Sequence, residues 1–594
     1  MDAHSHVDER RVLATEVSSL YEQGDIEHAL TAAEKLVALT EDLAVPDDLD
    51  TASALGDLAV LYEARGRFVE AETLYRRALD IRERSLRADH PDIALGLENL
   101  ARVLHTQGKH REAETLCRRV LAVREQALGV DHVGVAAALD GLATVLRAER
   151  GYEEAQRLYE RAAAIRRTAL GPDHPRVVAG LDHLAALEAA KGDYVEAERL
   201  FREALAGWEK AVGRDHPDVA KTLGDLANVL EAQGRSVEAE PLYLRALAIR
   251  EQALGPEHLD VADSFADLAG SYAGRGDFAA AEPLLERALA IREKALGPEH
   301  PLVADTLSRL ALVQTANGRS ERAETLHRRA LAIREKAWGP AHVDVAAGLT
   351  DLADLHRAHG EYEPAGPLYE RALAIRESDP DAEPPQLIAV LVGLADVYYA
   401  QGRYDEAEAL YRRALAIGEE TVGTSPRTSS AQVGQILNGL AVLLSVQERY
   451  EEAEPLYLRS LALREGSLGP DHPDVAVSLG NLAVIYDSQG RYAEAEPLHR
   501  RALAIREAAL GPDNPHVVTS LQNLAEAYRA QGRYGEAQPL YERALAILEQ
   551  TLGPQHAELA AALDDLADLY EKMDEDEQAA PLRQRAQAIR AAAI

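Results

Sequence analysis

At 594 residues the chain is about twice the length at which a single hydrophobic core stops growing, yet its composition is uniform from end to end, which points to one elongated array. A net charge of −36, from 64 Lys+Arg against 100 Asp+Glu, opposes attraction to phosphate backbones and anionic lipid, so neither nucleic acid nor membrane is expected as a partner. The single cysteine, Cys117, excludes an intrachain disulfide. With no run of eighteen apolar residues anywhere, a cytoplasmic protein is expected.

The amino end, MDAHSH, reads as a flexible tip, and a metal site at His4 and His6 is not expected. From Ala29 onward an alanine recurs in an EA-like step up to Ala579; twelve of the thirteen spacings are 42 residues and one is 46. Such regularity makes an internal repeat the organising feature. In the copy at 473–511, PDVAVSLGNLAVIYDSQG carries Leu479, Leu482, Ala483 and Tyr486 on one face of a first helix, helix A. RYAEAEPLHRRALAIREAALG then carries Ala495, Leu498, Ala502, Leu503 and Ile505 on a second, helix B. Gly490 and Gly511 close the helices, and Pro473 opens helix A where no N–H partner is needed. Fourteen such pairs are predicted.

Twelve residues before the marker alanine stands a second alanine, from Ala101 to Ala567; four residues after it the residue is usually aromatic, as in Tyr75, Tyr159, Phe201, Tyr243, Tyr369, Tyr411, Tyr457 and Tyr541. Small against small and aromatic into the core is the pattern that close packing of A on B demands. The unit resembles a tetratricopeptide repeat. Its 42-residue period, with LGPDHPDVA between units, resembles the kinesin light chain subtype and exceeds the ordinary period of about 34. The resemblance implies an all-α, right-handed superhelical solenoid with a concave channel, stabilised by stacking of neighbours, and a protein-binding rather than catalytic role.

Along the chain the polar series are weighed in turn. The loop histidines His90, His132, His174, His216, His258, His300, His342, His472 and His556 lie one repeat apart, roughly the 10 Å spacing of packed helices, too far to share an ion. They are expected to cap helix A or order the loop. Cys117 fills the aromatic slot of its repeat as a buried, inert thiol. The Arg and Glu of helix B, as in RRALAIRE at 500–507, read as a solvated face with local ion pairs. Prolines at 241, 283, 367, 455, 497, 539 and 581 each remove one helical bond and predict a slight bend in helix B. Between Arg376 and Ala389 the loop becomes ESDPDAEPPQLI, where Pro380, Pro384 and Pro385 predict a stiff extended connection. The 46-residue step contains GTSPRTSSAQ, read as a surface loop, and together these two irregularities predict a hinge across 377–434 dividing 1–376 from 435–594 in one continuous array, 1–594. In the last repeat Arg583 replaces the aromatic and makes a partial polar cap; the apolar ending AIRAAAI leaves homo-oligomerisation through the solenoid ends open.

No phosphate-binding loop, dinucleotide fingerprint, HExxH, nucleophile elbow or paired-cysteine motif occurs, so no catalytic residue, metal or cofactor is expected. In tetratricopeptide arrays the ligand-facing residues come mainly from helix A, and the resemblance places this role on the slots fourteen and eleven before the marker. These hold Asn99, Asp351, Asn481 and Asn523 in the first, with Arg102, Asn228, Asp354, Asp396 and Glu526 in the second. Asn99, Asn481 and Asn523 fall in NLA, as the backbone-binding asparagines of kinesin light chain do; an amide both donates to and accepts from an extended peptide. Acids outnumber bases in these slots, so a basic peptide is the expected ligand, while an acidic lining that merely follows the acidic whole is the alternative reading. Gly141, Gly393 and Gly439 thin the lining locally. The expected function is a scaffold holding a peptide or helical segment of a partner protein. The alternatives are a regulatory or sensor array acting with a separate effector, and a self-assembling structural element.

Overall fold

A computed structural model of the chain describes residues 3–23, 25–41, 48–379, 384–421 and 426–592, without the side chains of 3–8, 22, 426–429 and 592. Among the described residues there are twenty-eight α-helices and one 3-10 turn, and no strand. They form fourteen A–B pairs, from Ala3–Glu22 with Ile26–Glu41 to Leu559–Lys572 with Asp576–Ala592. This is the all-α helical solenoid expected from the period. The amino end departs from expectation: helix begins at Ala3, and the side chains of His4 and His6 lie outside those described. The chain divides into two compact units, Met1–Leu355 and His356–Ile594.

Within each unit the packing follows the small and large slots. The marker alanines from Ala29 to Ala537 are fully buried, as are nearly all the alanines twelve residues before them, so the two helix backbones of a pair meet closely. Tyr75, Tyr159, Phe201, Tyr243, Tyr369, Tyr411, Tyr457 and Tyr541 fill the space beside that contact, each at 3% exposure or less. No pair can bury both faces alone, and the apolar clusters accordingly run across neighbours, as from Leu503 through Tyr541 and Leu563 to Ile589.

The loop histidines cap helix A in eight repeats, and in the last one His556 orders the turn just before the helix Leu559–Lys572. His90, His132, His174, His216, His258, His300, His342, His472 and His556 each accept, at Nδ1, the N–H two residues on, at 3.0–3.4 Å. The imidazole therefore carries its proton on Nε2, and one orphan donor of the first turn is satisfied. Gly490, at φ +73°, ends helix A of its repeat in the left-handed conformation while Arg491 N–H returns to Tyr486 O at 2.8 Å. The helix B prolines are accommodated without a break.

Three further expectations change. The helix B arginines divide into two kinds. The leading pair is solvated and ion-paired, as in Arg118 to Glu114 and Glu154 at 2.7 and 2.9 Å, but the arginine before the last glutamate of ALAIRE is buried at 292, 334 and 376 and half-buried at 250 and 506. Arg292 is 7% exposed; its Nη1 donates to Thr306 Oγ1 at 2.6 Å and its Nη2 meets Asp263 at 2.5 Å. Arg464 likewise reaches Ser478 of the next pair at 3.0 Å, while Arg334 meets Ser308 of its own pair at 3.1 Å and lies 3.9 Å from Asp351 of the next. These guanidinium groups staple one pair to the next through groups of helix A. Second, Pro384 and Pro385 do not stiffen an extended connection but open helix A of their repeat, Pro384–Ala400, where a first-turn proline loses no hydrogen bond; Pro380 lies outside the described residues. Third, the insertion is not mainly a loop. Residues 422–425 lie outside the described residues, and the rest joins helix A of that repeat, Pro426–Val446, which is 21 residues long against 16 in Pro473–Ser488.

Candidate functional site: the polar face of helix A

Each helix A turns its apolar residues toward helix B and leaves the slots fourteen and eleven before the marker on a face three residues apart, adjacent along the helix. All nine expected residues lie on such faces, but most are already engaged. Asn99 accepts from Arg102 at 3.5 Å, and Arg102 itself is ion-paired to Glu63. Asn228 accepts the Tyr243 hydroxyl at 2.6 Å. Asp396 accepts Arg357 at 3.0 Å and the hydroxyl of Tyr411. Glu526 holds Arg529 through both oxygens at 2.6 and 2.7 Å and accepts Tyr541 at 2.9 Å. Asn481 donates to Asn438 at 3.2 Å. Asp351 lies 3.9 Å from Arg334; Asp354 is exposed and Asn523 half-buried.

The tyrosine hydroxyls were missed by reading the aromatic slot as core alone. Tyr75, Tyr159, Tyr243, Tyr411 and Tyr541 bury their rings yet deliver their hydroxyls to polar groups of helix A in the same repeat. The signal was present: the acceptor stands fifteen residues before the tyrosine in four of the five. The same rings explain two glycines of the face. A Cβ on Gly393 would lie 2.6 Å from the Tyr369 ring, and one on Gly439 2.8 Å from the Tyr411 ring, so the lining is thin there because the previous repeat's aromatic fills the space.

Electrostatically the face is a series of reluctant carboxylates. Burial raises the carboxyl groups of Asp57, Asp225, Asp267, Asp351 and Asp565 above their ordinary range, opposed only in part by arginine or lysine neighbours. In the first unit like charges add to the rise, since Asp225 pushes up both Asp182 and Asp267. A cation brought to this row would stabilise the ionised forms. Among the described residues no group of three His, Cys, Asp or Glu is placed to hold a metal, and no helix is long and apolar enough to cross a membrane. Cys117 is buried and its thiol is pushed up to about 11, as expected of an inert core residue.

The solved structures similar to this chain include a putative kinesin light chain from Podosopora anserina with nearly identical TPR-like repeats. It and a variant of it are each 31% identical, covering 35% of this chain and 98% and 97% of theirs, both with a TM-score of 0.31. BtubC (BKLC) from P. vanneervenii is 24% identical over 48% of this chain and 91% of its own, with a TM-score of 0.28. No curated protein matches the chain. Models of the tetratricopeptide repeat match residues 15–84, 92–168, 141–209, 177–252, 218–294, 260–336, 302–378, 432–508, 488–550 and 517–592, and a further one matches 387–427. Read with the A–B pairs and their stacked alanines, these matches make the chain a member of the tetratricopeptide repeat family, whose arrays mediate protein–protein interaction.

Proposed function

We propose that the chain is an interaction scaffold that binds an extended, basic segment of a partner protein along the polar faces of its A helices. The observation that carries the reading is the row Asp225, Asp267 and Asp351, whose carboxyl groups are held above their ordinary range by burial and, at Asp267 and Asp351, by neighbouring carboxylates as well. A lysine or arginine side chain laid beside them relieves that cost, which water does only in part. In the second unit Asn481 and Asn523 offer amides to a peptide backbone, Asn481 by exchanging its present contact with Asn438. Several of the nine face residues act by holding the face in shape, since their polar atoms are already engaged.

Fluorescence anisotropy with Lys/Arg-rich and Glu-rich peptides of equal length tests this. Tight, salt-sensitive binding of the basic peptide is expected, weakened several-fold in Asp225→Asn with Asp267→Asn. Asn481→Ala with Asn523→Ala is expected to cost about 3- to 10-fold, the worth of one or two net hydrogen bonds. Equal binding of both peptides, or affinity untouched by all four substitutions, refutes the reading.

A further inference from the structure

A contact inside the first unit has no counterpart in the repeat rule. The turn between helix A and helix B of the second pair, Leu49–Ala64 and Phe68–Ser85, touches the carboxyl ends of the seventh and eighth helix B, Phe278–Leu296 and Ser320–Trp338. Phe68 stacks on Trp338 with ring centroids 4.5 Å apart and planes at 7°, and meets His300 edge-on at 6.3 Å. Trp338 stacks in turn on His342 at 5.0 Å. His342, its Nδ1 already used as a cap, donates from Nε2 to Gln107 O at 2.9 Å, and Arg65 donates to Leu296 O at 3.4 Å.

The repeat itself supplies the control. Phe278 occupies in its own repeat the slot of Phe68, yet is only half-buried where Phe68 is 8% exposed. The slot of Trp338 holds leucine at 128, 468, 510 and 552, all exposed, so an aromatic there is not needed by its own pair. The His342 side chain is 15% exposed against 41–44% for the capping histidines 90, 216, 258 and 472. A Cβ on Gly66 would fall on the Pro301 ring, whereas the corresponding Gly234 and Gly276 have open space around them. Extra burial confined to these slots is the footprint of a contact between distant repeats.

We propose that Phe68, Trp338 and the hydrogen bonds beside them form a latch that ties the second and third repeats to the seventh and eighth and sets the pitch of the first unit. Its parts are one aromatic stack, one edge-on ring contact and two long-range hydrogen bonds, small beside the continuous packing of neighbouring pairs, so it opens without unfolding any helix. Opening releases the pitch of the unit while every A–B pair stays intact. The device stands apart from the binding reading above and does not depend on it.

Small-angle scattering of the full chain tests it, with Phe68→Ala combined with Trp338→Leu, the latter restoring the residue other repeats carry. The expected result is an increase in maximum dimension of at least about 10 Å, one interhelix spacing, at unchanged helical circular dichroism. Phe278→Ala, a truncation in the same slot away from the latch, leaves the profile unchanged. A second readout is tryptophan emission, which shifts to longer wavelength in Phe68→Ala as Trp338 loses its stacking partner. Identical profiles for the double variant and the parent overturn the proposal, as does equal expansion by Phe278→Ala. Loss of helicity in Trp338→Leu alone also overturns it, because Trp338 would then be part of its own repeat's core.

Discussion

Replacing Asp182 separates the worth of a buried charge from the worth of the hydrogen bonds it accepts. Asp182 is 7% exposed between helix A and helix B of the fifth pair, Pro175–Lys191 and Tyr194–Val212, and helix A of the sixth, Pro217–Ala232. It accepts Trp208 Nε1 at 2.7 Å and Thr222 Oγ1 at 3.0 Å. Burial raises its carboxyl above the ordinary range, and those two bonds only partly oppose this. In Asp182→Ala the indole N–H, on a residue 6% exposed, loses its acceptor, while Thr222 keeps Asp218 O at 3.2 Å. One orphaned donor and a small cavity make the expected loss about 2–3 kcal/mol. Asp182→Asn keeps an oxygen for Trp208 and removes the buried charge, so its stability is expected within about 1 kcal/mol of the parent, or above it. In a Trp338→Phe background Trp208 is the only tryptophan, and a denaturant titration followed by its emission reads the local stability of these repeats. The pH dependence has a definite sign. Because the folded carboxyl titrates above its unfolded value of 3.8, the folded state binds more protons just above that pH, and stability rises as pH falls through the window. Asp182→Asn abolishes that slope. If Asp182→Asn is as damaged as Asp182→Ala at pH 7, the charge itself is stabilising and the reasoning fails.

Three further substitutions probe the slots that the repeat rule leaves open. Gly393→Ala places a methyl 2.6 Å from the buried Tyr369 ring; overpacking of this kind costs about 1–3 kcal/mol, and hydrogen exchange in 362–400 is expected to accelerate, whereas Gly480→Ala, with open space at its Cβ, is expected to be neutral or better. His327, 2% exposed and with no partner on Nδ1, is held down to about 4 by burial and, secondarily, by Arg334. Its folded value lies below the unfolded 6.5, so the stability it contributes is complete above that pH and is lost as pH falls toward 4, by up to about 3 kcal/mol. His327→Phe is expected to flatten the fall in melting temperature between pH 7 and 4.5, and an unchanged fall rules out burial of the neutral imidazole as its source.

Much of the site was legible only as a register. Reading slots placed Asn228, Asp396 and Glu526 on helix A, and the structure keeps them there, but each is an acceptor for a tyrosine hydroxyl fifteen residues later in the same repeat. Apolar periodicity classes a tyrosine by its ring and is silent on where its oxygen emerges. The buried arginines were hidden for a related reason. Arg292 and the exposed Arg287 share one helix B and one charge, and only the facing surface of the next pair decides which is desolvated.

The fourteen pairs, their approximate boundaries and the capping histidines are written in the amino-acid order, because they depend on interactions within a few residues: the 3.6-residue apolar period, small residues at fixed spacing, and a side chain bonding to the N–H two residues on. What happens between repeats was settled by tertiary packing. Which arginines become staples, which face residues remain open to a ligand, and the stacking of Phe68 on Trp338 some 270 residues away all follow from the accumulated rotation of one pair upon the next. That rotation is set by packing at every interface together, and no single repeat encodes it.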